Sequence, residues 1–136
     1  MSRVNVKLAR EGFEALQDGD VEALLPFVHP EFELTTPPSM AAEPDTYRGE
    51  DGVRRYFSSF YEAMDRVWFE ADDFIEVGDR VVIPTTLHTR GRTTGIETEQ
   101  RVVQVWELKD ELAFRIEVYP TVEQGMDAAR SAEDDS

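Results

Sequence analysis

Residues 90–120 read RGRTTGIETEQRVVQVWELKDELAFRIEVYP. Two extended runs, 97–108 and 112–119, are separated only by the polar break at 109–111. A third, 80–91, precedes them across RTTGI, and a fourth, 67–77, across VGDR. Breaks this short between extended runs are hairpin connections, so the four strands build a largely antiparallel sheet. Within the run 97–108 both faces are apolar, Val102 and Trp106 on one and Val103 and Val105 on the other. A strand buried on one side needs only one apolar face. The reading is a pocket on one side and a partner protomer on the other, hence a homodimer through the outer sheet face.

Upstream, the apolar period changes. Leu8, Ala9, Phe13 and Leu16 share one face of a helix over 4–17, broken by Asp18-Gly19-Asp20 before a second helix over 21–28. In HPEFELTTPP, Phe32 and Leu34 alternate with Glu33 and Thr35, a short strand stopped by Pro37 and Pro38. Residues 39–49 read as a polar loop. A third helix begins at Glu50 or Asp51 and carries Val53, Phe57, Phe60 and Met64 as a wide stripe, with Tyr56 and Tyr61 beside it. Thr121 and Gln124 form a capping-box pattern for a last helix over 122–130. The prediction is one α+β domain over 1–130: a curved antiparallel sheet packed on three helices of the N-terminal half, plus a short C-terminal helix. Residues 131–136, acidic and without large apolar side chains, are expected to be disordered.

Asp and Glu number 29 against 14 Lys and Arg, a net charge of −15 that repels nucleic acid and anionic membranes. There is no cysteine, so no disulfide and no thiol chemistry. No apolar run is long enough to span a bilayer, and MSRVNVKLAREGF lacks the apolar stretch of a secretion signal, so a cytoplasmic protein is expected. His29 and His88 stand far apart with no metal-ligand spacing, so no metal or other cofactor is expected. His29, near a helix end before Pro30, reads as a cap for carbonyls.

HTRGRTTGIE, 88–97, gathers His88, Arg90 and Arg92 in this acidic chain. A two-residue turn at Thr94-Gly95 would set Leu87 opposite Val102, Thr85 opposite Gln104 and Ile83 opposite Trp106 on the inner face. On the outer face it would set Arg90 opposite Glu99, Arg92 opposite Glu97 and His88 opposite Arg101. The two arginines then read as cross-strand ion pairs rather than as a site. His88, beside an arginine, would remain a neutral imidazole able to act as a base. On the last strand Phe114, Ile116 and Val118 form the apolar face, and Arg115, Glu117 and Tyr119 the other.

ALQDGDVEALLPFVHPEFEL, YRGEDGVRRYF and the quoted run 90–120 together resemble the SnoaL-like branch of the nuclear-transport-factor-2-like superfamily, over about residues 4–125. The resemblance implies a cone, a bent sheet around helices with an apolar pocket at its open end. It also implies chemistry ranging from ketosteroid isomerase and polyketide cyclase to no catalysis at all. Ketosteroid isomerases use a carboxylate base with a tyrosine and a protonated carboxyl as oxyanion donors. Those positions fall here at Thr36, Gly12 and Gln104, so that mechanism is not expected. SnoaL-like cyclases use a carboxylate late in the sheet, for which Glu117 is the nearest candidate, with His88 as the second catalytic candidate. The expected pocket wall is Phe13, Phe57, Phe60, Tyr61, Trp68, Leu87 and Trp106, with Thr36, Gln104 and Tyr61 as polar anchors. Two functions stand side by side. One is a cofactor-independent isomerase, cyclase or hydrolase acting on an apolar carbonyl or epoxide compound. The other is a non-catalytic module that binds a small apolar ligand or serves dimerisation. A titratable group inside the pocket, such as His88, Glu117, Glu33 or Asp45, would favour the enzyme.

Overall fold

The longest pairing is the hairpin of β5 (Arg80–Gly91) with β6 (Glu97–Lys109). It is seen in a computed structural model that describes residues 2–17, 21–35, 46–61 and 64–134. Its turn is not the two-residue Thr94-Gly95 connection. Gly91 N–H donates to Ile96 O and Gly95 N–H to Gly91 O, each at 2.9 Å, which closes a loop over 92–95. Gly95 sits at φ +70, where a side chain would be strained, and so lets the chain turn back. The register is therefore two residues from the expected one: Ile83 pairs with Gln104, Val81 with Trp106 and His88 with Glu99. A shift of two preserves every inward and outward assignment, because side chains alternate with period two. Arg90 pairs across the sheet with Glu97, but its ion pair is with Asp65, Nε to Oδ1 at 2.8 Å. The Arg92 guanidinium donates to Met64 O at 3.3 Å.

The remaining elements are α1 (Ser2–Gln17), α2 (Val21–Leu24) with a 3-10 turn at Leu25–Phe27, β1 (Val28–Thr35), β2 (Thr46–Arg48), α3 (Gly49–Tyr61), β3 (Met64–Ala71), β4 (Ile75–Val77), β7 (Leu112–Tyr119) and α4 (Val122–Asp134). Strand order is β2-β1-β7-β6-β5-β3, with β4 also pairing β5. All pairings are antiparallel except β1 with β7, so the sheet is mixed. Strand β2 falls in the stretch read as loop, and it pairs Tyr47 with Leu34.

The strand expected over 67–77 is two strands because of Pro84. Asp72 N–H donates to Pro84 O at 2.8 Å, on the β3 and β4 side of β5. In an antiparallel strand a residue's N–H points the same way as its C=O, so the donor that proline lacks faces this gap. On β7 the pairing slips between Glu107 and Leu108, so that Leu108 meets Ala113 and Phe114 is skipped. Ala113 enters the core in place of Phe114, which instead meets the His29 ring edge-on at 5.1 Å. His29 caps no helix. It lies on β1, where Nδ1 accepts Glu31 N–H at 3.0 Å and Nε2 faces Asp110 Oδ2 at 3.4 Å.

Helix α1 lies on β3, β4 and β5, and α3 on β1, β2 and β3. The core between them and the sheet holds Ala9, Phe13, Phe32, Leu34, Val53, Phe69, Ile83 and Trp106. Trp106 is fully buried; truncating such a side chain costs about 3–5 kcal/mol. A Cβ added to Gly12 would stand 3.0 Å from the Trp106 ring, so a side chain there would press on the indole.

Helix α4 covers the other face of the sheet. Ala129, fully buried, forms a second core with Val82, Val103 and Val105. Thr121 caps it: its Oγ1 accepts Gln124 N–H at 3.1 Å. The helix continues to Asp134, through four of the six tail residues expected to be disordered. Val103 and Val105, whose apolar character motivated a partner protomer on this face, are thus covered by the chain's own helix. No helix among the described residues is long and apolar enough to cross a membrane.

Candidate ligand site

Between α3 and the inner face of the sheet lies a hollow of about 30 Å³, lined by Leu24, Phe32, Leu34, Val53, Tyr56, Phe69, Gln104, Ile116 and Val118. Each strand contributes by alternation: Phe32 and Leu34 from β1, Phe69 from β3, Gln104 from β6, Ile116 and Val118 from β7. Val53 and Tyr56 are three apart on α3 and face it together. A space of this size holds one or two water-sized groups.

Gln104 is the polar side chain of the β6 wall, and it is 6% exposed. The Trp106 indole N–H donates to Gln104 Oε1 at 2.7 Å. Among the described residues no protein group accepts from the Gln104 amide nitrogen. The other buried polar side chains are satisfied: Thr85 donates to Ile83 O at 2.8 Å, Thr86 to Asp72 Oδ2 at 3.1 Å, and Thr89 pairs with Thr98. Trp106 is held in turn by Phe13, ring centroids 5.9 Å apart, and by the bare backbone of Gly12.

Tyr56 meets Tyr47 edge-on at 5.2 Å. Burial, reinforced by Tyr47, pushes its phenol far above the ordinary range, so it stays neutral at physiological pH. The described lining contains no carboxylate and no imidazole.

The predicted site residues are scattered by comparison. Gln104 lines the hollow. Phe13, Leu87 and Trp106 face inward but belong to the packed core beside it. Trp68 is on the outer face, corrected from the inner one: Val67 and Phe69 are the buried neighbours, and Trp68 stacks on His88 at 4.7 Å and 4°. The Arg66 guanidinium lies 4.3 Å over the Trp68 ring. His88 also faces outward. Its neighbours are carboxylates, Glu70 at 3.1 Å and Glu99 at 3.6 Å, and not Arg101. Glu117 accepts from Tyr119 OH at 3.2 Å, on the same outer face. Burial, with the Glu117 charge and hydrogen bond, pushes the Tyr119 phenol up to about 12. Thr36 and Asp45 lie outside the described residues, as do the side chains of Phe57, Phe60 and Tyr61.

Glu33 stands in an ionic ladder that crosses five strands. Arg48 to Glu33 is 3.1 Å, Arg115 to Glu33 3.7 Å, Arg115 to Glu107 3.5 Å and Arg80 to Glu107 3.0 Å. Each consecutive pair is also a register pair. The residues missed by reading the sequence, Leu24, Phe32, Leu34, Val53, Tyr56, Phe69, Ile116 and Val118, are unremarkable apolar or aromatic positions. Only the strand order, which sets β1 beside β7, brings them to one place.

The SnoaL-like domain family matches residues 9–116. The chain belongs to this family. Solved structures with the SnoaL-like chain's fold include an NTF2-like protein of unknown function from Burkholderia pseudomallei, 23% identical, covering 91% of this chain and 95% of that one, TM-score 0.74. TerC, co-crystallised with polyporic acid, is 23% identical over 93% of this chain and 98% of its own, TM-score 0.76. An NTF2-like protein from Burkholderia thailandensis is 25% identical over 90% and 96%, TM-score 0.75. Among curated proteins, none matches. The chain has the SnoaL-like cone, with a curled mixed sheet and, among the described residues, four α-helices.

Proposed function

We propose that this SnoaL-like chain binds a small apolar molecule in the hollow between α3 and the sheet, without acid–base turnover there. The observation that carries the reading is the Gln104 side chain, half-satisfied among the described residues, in a wall otherwise made of apolar side chains and the neutral Tyr56. A buried polar group is normally fully paired, and one left open faces either a ligand or water. General acid–base catalysis needs a group that titrates near the working pH. Gln104 does not titrate, and Tyr56 is pushed away from that range. His88 and Glu117, the catalytic candidates, face the other side of the sheet. TerC, which has this fold, was co-crystallised with polyporic acid, in keeping with an organic ligand. At about 30 Å³ the hollow takes only the end of such a ligand.

The test is chemical-shift mapping on ¹⁵N-labelled protein with a panel of aromatic and polyketide-like compounds. Shifts should cluster at Leu34, Val53, Tyr56, Gln104 and Val118. Shifts confined to the outer face around Trp68 and His88 would overturn the reading.

A further inference from the structure

We infer that Trp106 sets the hydrogen-bond polarity of the hollow, so that it selects ligands presenting an acceptor, such as a ketone, ester or ether oxygen, over hydrocarbons and over donor-only groups. The inference rests on the proposed binding function and narrows its ligand class.

A glutamine side chain offers an oxygen that accepts and a nitrogen that donates twice, and it can exchange them by turning over. In an unconstrained pocket it would serve donors and acceptors alike. Here it is constrained. An indole nitrogen can only donate, so the atom 2.7 Å from Trp106 Nε1 must be the Gln104 oxygen. Turning the amide over would set two donors against each other away from solvent, because Trp106 is fully buried and Gln104 is 6% exposed. The ring cannot move away to relieve the clash. The backbone of Gly12 lies so near that an added Cβ would stand 3.0 Å from the ring, and the Phe13 ring lies 5.9 Å away, centroid to centroid. The donor end therefore belongs to the hollow. No described lining carboxylate is present to accept from a ligand's donor. A hydrocarbon bound there leaves the amide nitrogen without a partner, while an acceptor completes it. Trp106 acts through Gln104 and touches no ligand, which makes it a positioning residue.

Three compact probes, each able to put one edge into the hollow, decide the matter: cyclopentanone, its isostere methylenecyclopentane, and pyrrole, which offers only an N–H donor. Affinities come from shift titrations of the lining residues. In the native protein cyclopentanone should bind about tenfold more tightly than methylenecyclopentane, although the hydrocarbon is the more readily expelled from water. Pyrrole should show no advantage over the hydrocarbon. The Gln104 side-chain NH₂ protons should move with cyclopentanone, and the Trp106 indole proton should not. In Gln104→Met the order of ketone and hydrocarbon should reverse. In Trp106→Phe the amide is free to turn, so the ketone preference should shrink and pyrrole should gain. Should Trp106→Phe not fold, the NH₂ and indole protons of the native protein still separate a fixed amide from a freely turning one. Equal binding of ketone and hydrocarbon, with the Gln104 protons unmoved, would overturn this inference and leave the apolar pocket standing. No shift of the lining with any of the three would remove the pocket reading and this inference together.

Discussion

Replacing Gly125 by alanine should destabilise the protein, although alanine is the better helix former. In α4 the exchange by itself gains about 0.8–1.0 kcal/mol. Against that, the new Cβ would stand 2.7 Å from Val103 Cγ1 and 3.5 Å from Val105 Cγ2. The first distance is roughly 1 Å inside an ordinary carbon–carbon contact. Val103 is 3% exposed and β-branched, so it has few rotamers to retreat into. Overpacking of this kind costs about 1–3 kcal/mol. The expected net loss is about 1 kcal/mol, or a Tm lower by about 3–4 °C at this chain length. In a Val103→Ala background the obstructing methyl is gone, and Gly125→Ala should become stabilising by the full helix increment. Urea unfolding of the four proteins, followed by circular dichroism, gives the coupling between the sites, expected at about 2 kcal/mol. If Gly125→Ala stabilises the native sequence by the same increment as it does the Val103→Ala variant, α4 is not seated on the sheet. The apolar outer face of β6 would then lack the cover that α4 provides.

Two further outcomes follow from the same geometry. Asp110 and Glu111 both sit at positive φ, 55 and 64, in the two-residue turn between β6 and β7, the pattern of a type I′ turn that Asp-Gly suits best. Glu111→Gly should therefore raise stability by about 0.5–1 kcal/mol in urea unfolding, and a loss would contradict the turn assignment. A chain ending at Pro120 lacks α4 and uncovers Val82, Val103 and Val105, now 0%, 3% and 2% exposed. Its mass by light scattering should exceed that of one copy through self-association, and a truncated chain that stays monomeric and folded would show that α4 hides no adhesive surface.

The parts of the fold that were legible in the sequence are those that depend on parity. Gln104 and Trp106 point inward, and Arg90 and His88 outward, whether the hairpin pairs by the expected register or by the observed one two residues away. Pairing partners were not legible, because they depend on how many residues the turn consumes, and Gly95 closes a longer loop than the Thr94-Gly95 dipeptide suggests. Parity itself gave no answer for Trp68, which lies within the unbroken apolar run Val67-Trp68-Phe69. It misled at Phe114, where the β7 irregularity brings Ala113 to the core instead. The cover for Val103 and Val105 was written in the chain as Gly125, Met126 and Ala129, the last two standing one and four residues on from the first. Small residues make such a stripe look weak, yet smallness is what lets a helix lie this close to a strand.

The hollow was not legible for a different reason. Its size depends on how far α3 stands from the sheet, which no periodicity encodes. The identity of the residue at 104 still carries information. An unpaired buried amide nitrogen costs the free protein about 1–3 kcal/mol relative to a satisfied one. A leucine there would remove the penalty and fill the space, and β6 already places valines at 102, 103 and 105. Trp106 could lose its partner oxygen only at a similar cost, so part of the presence of Gln104 is explained by the indole it satisfies. That half of the amide is structural. The other half finds no acceptor among the described residues, and a ligand oxygen arriving there would complete the hydrogen-bond set that those residues leave open. On the proposed binding function, such a ligand would be recognised by the direction of a fixed dipole rather than by charge.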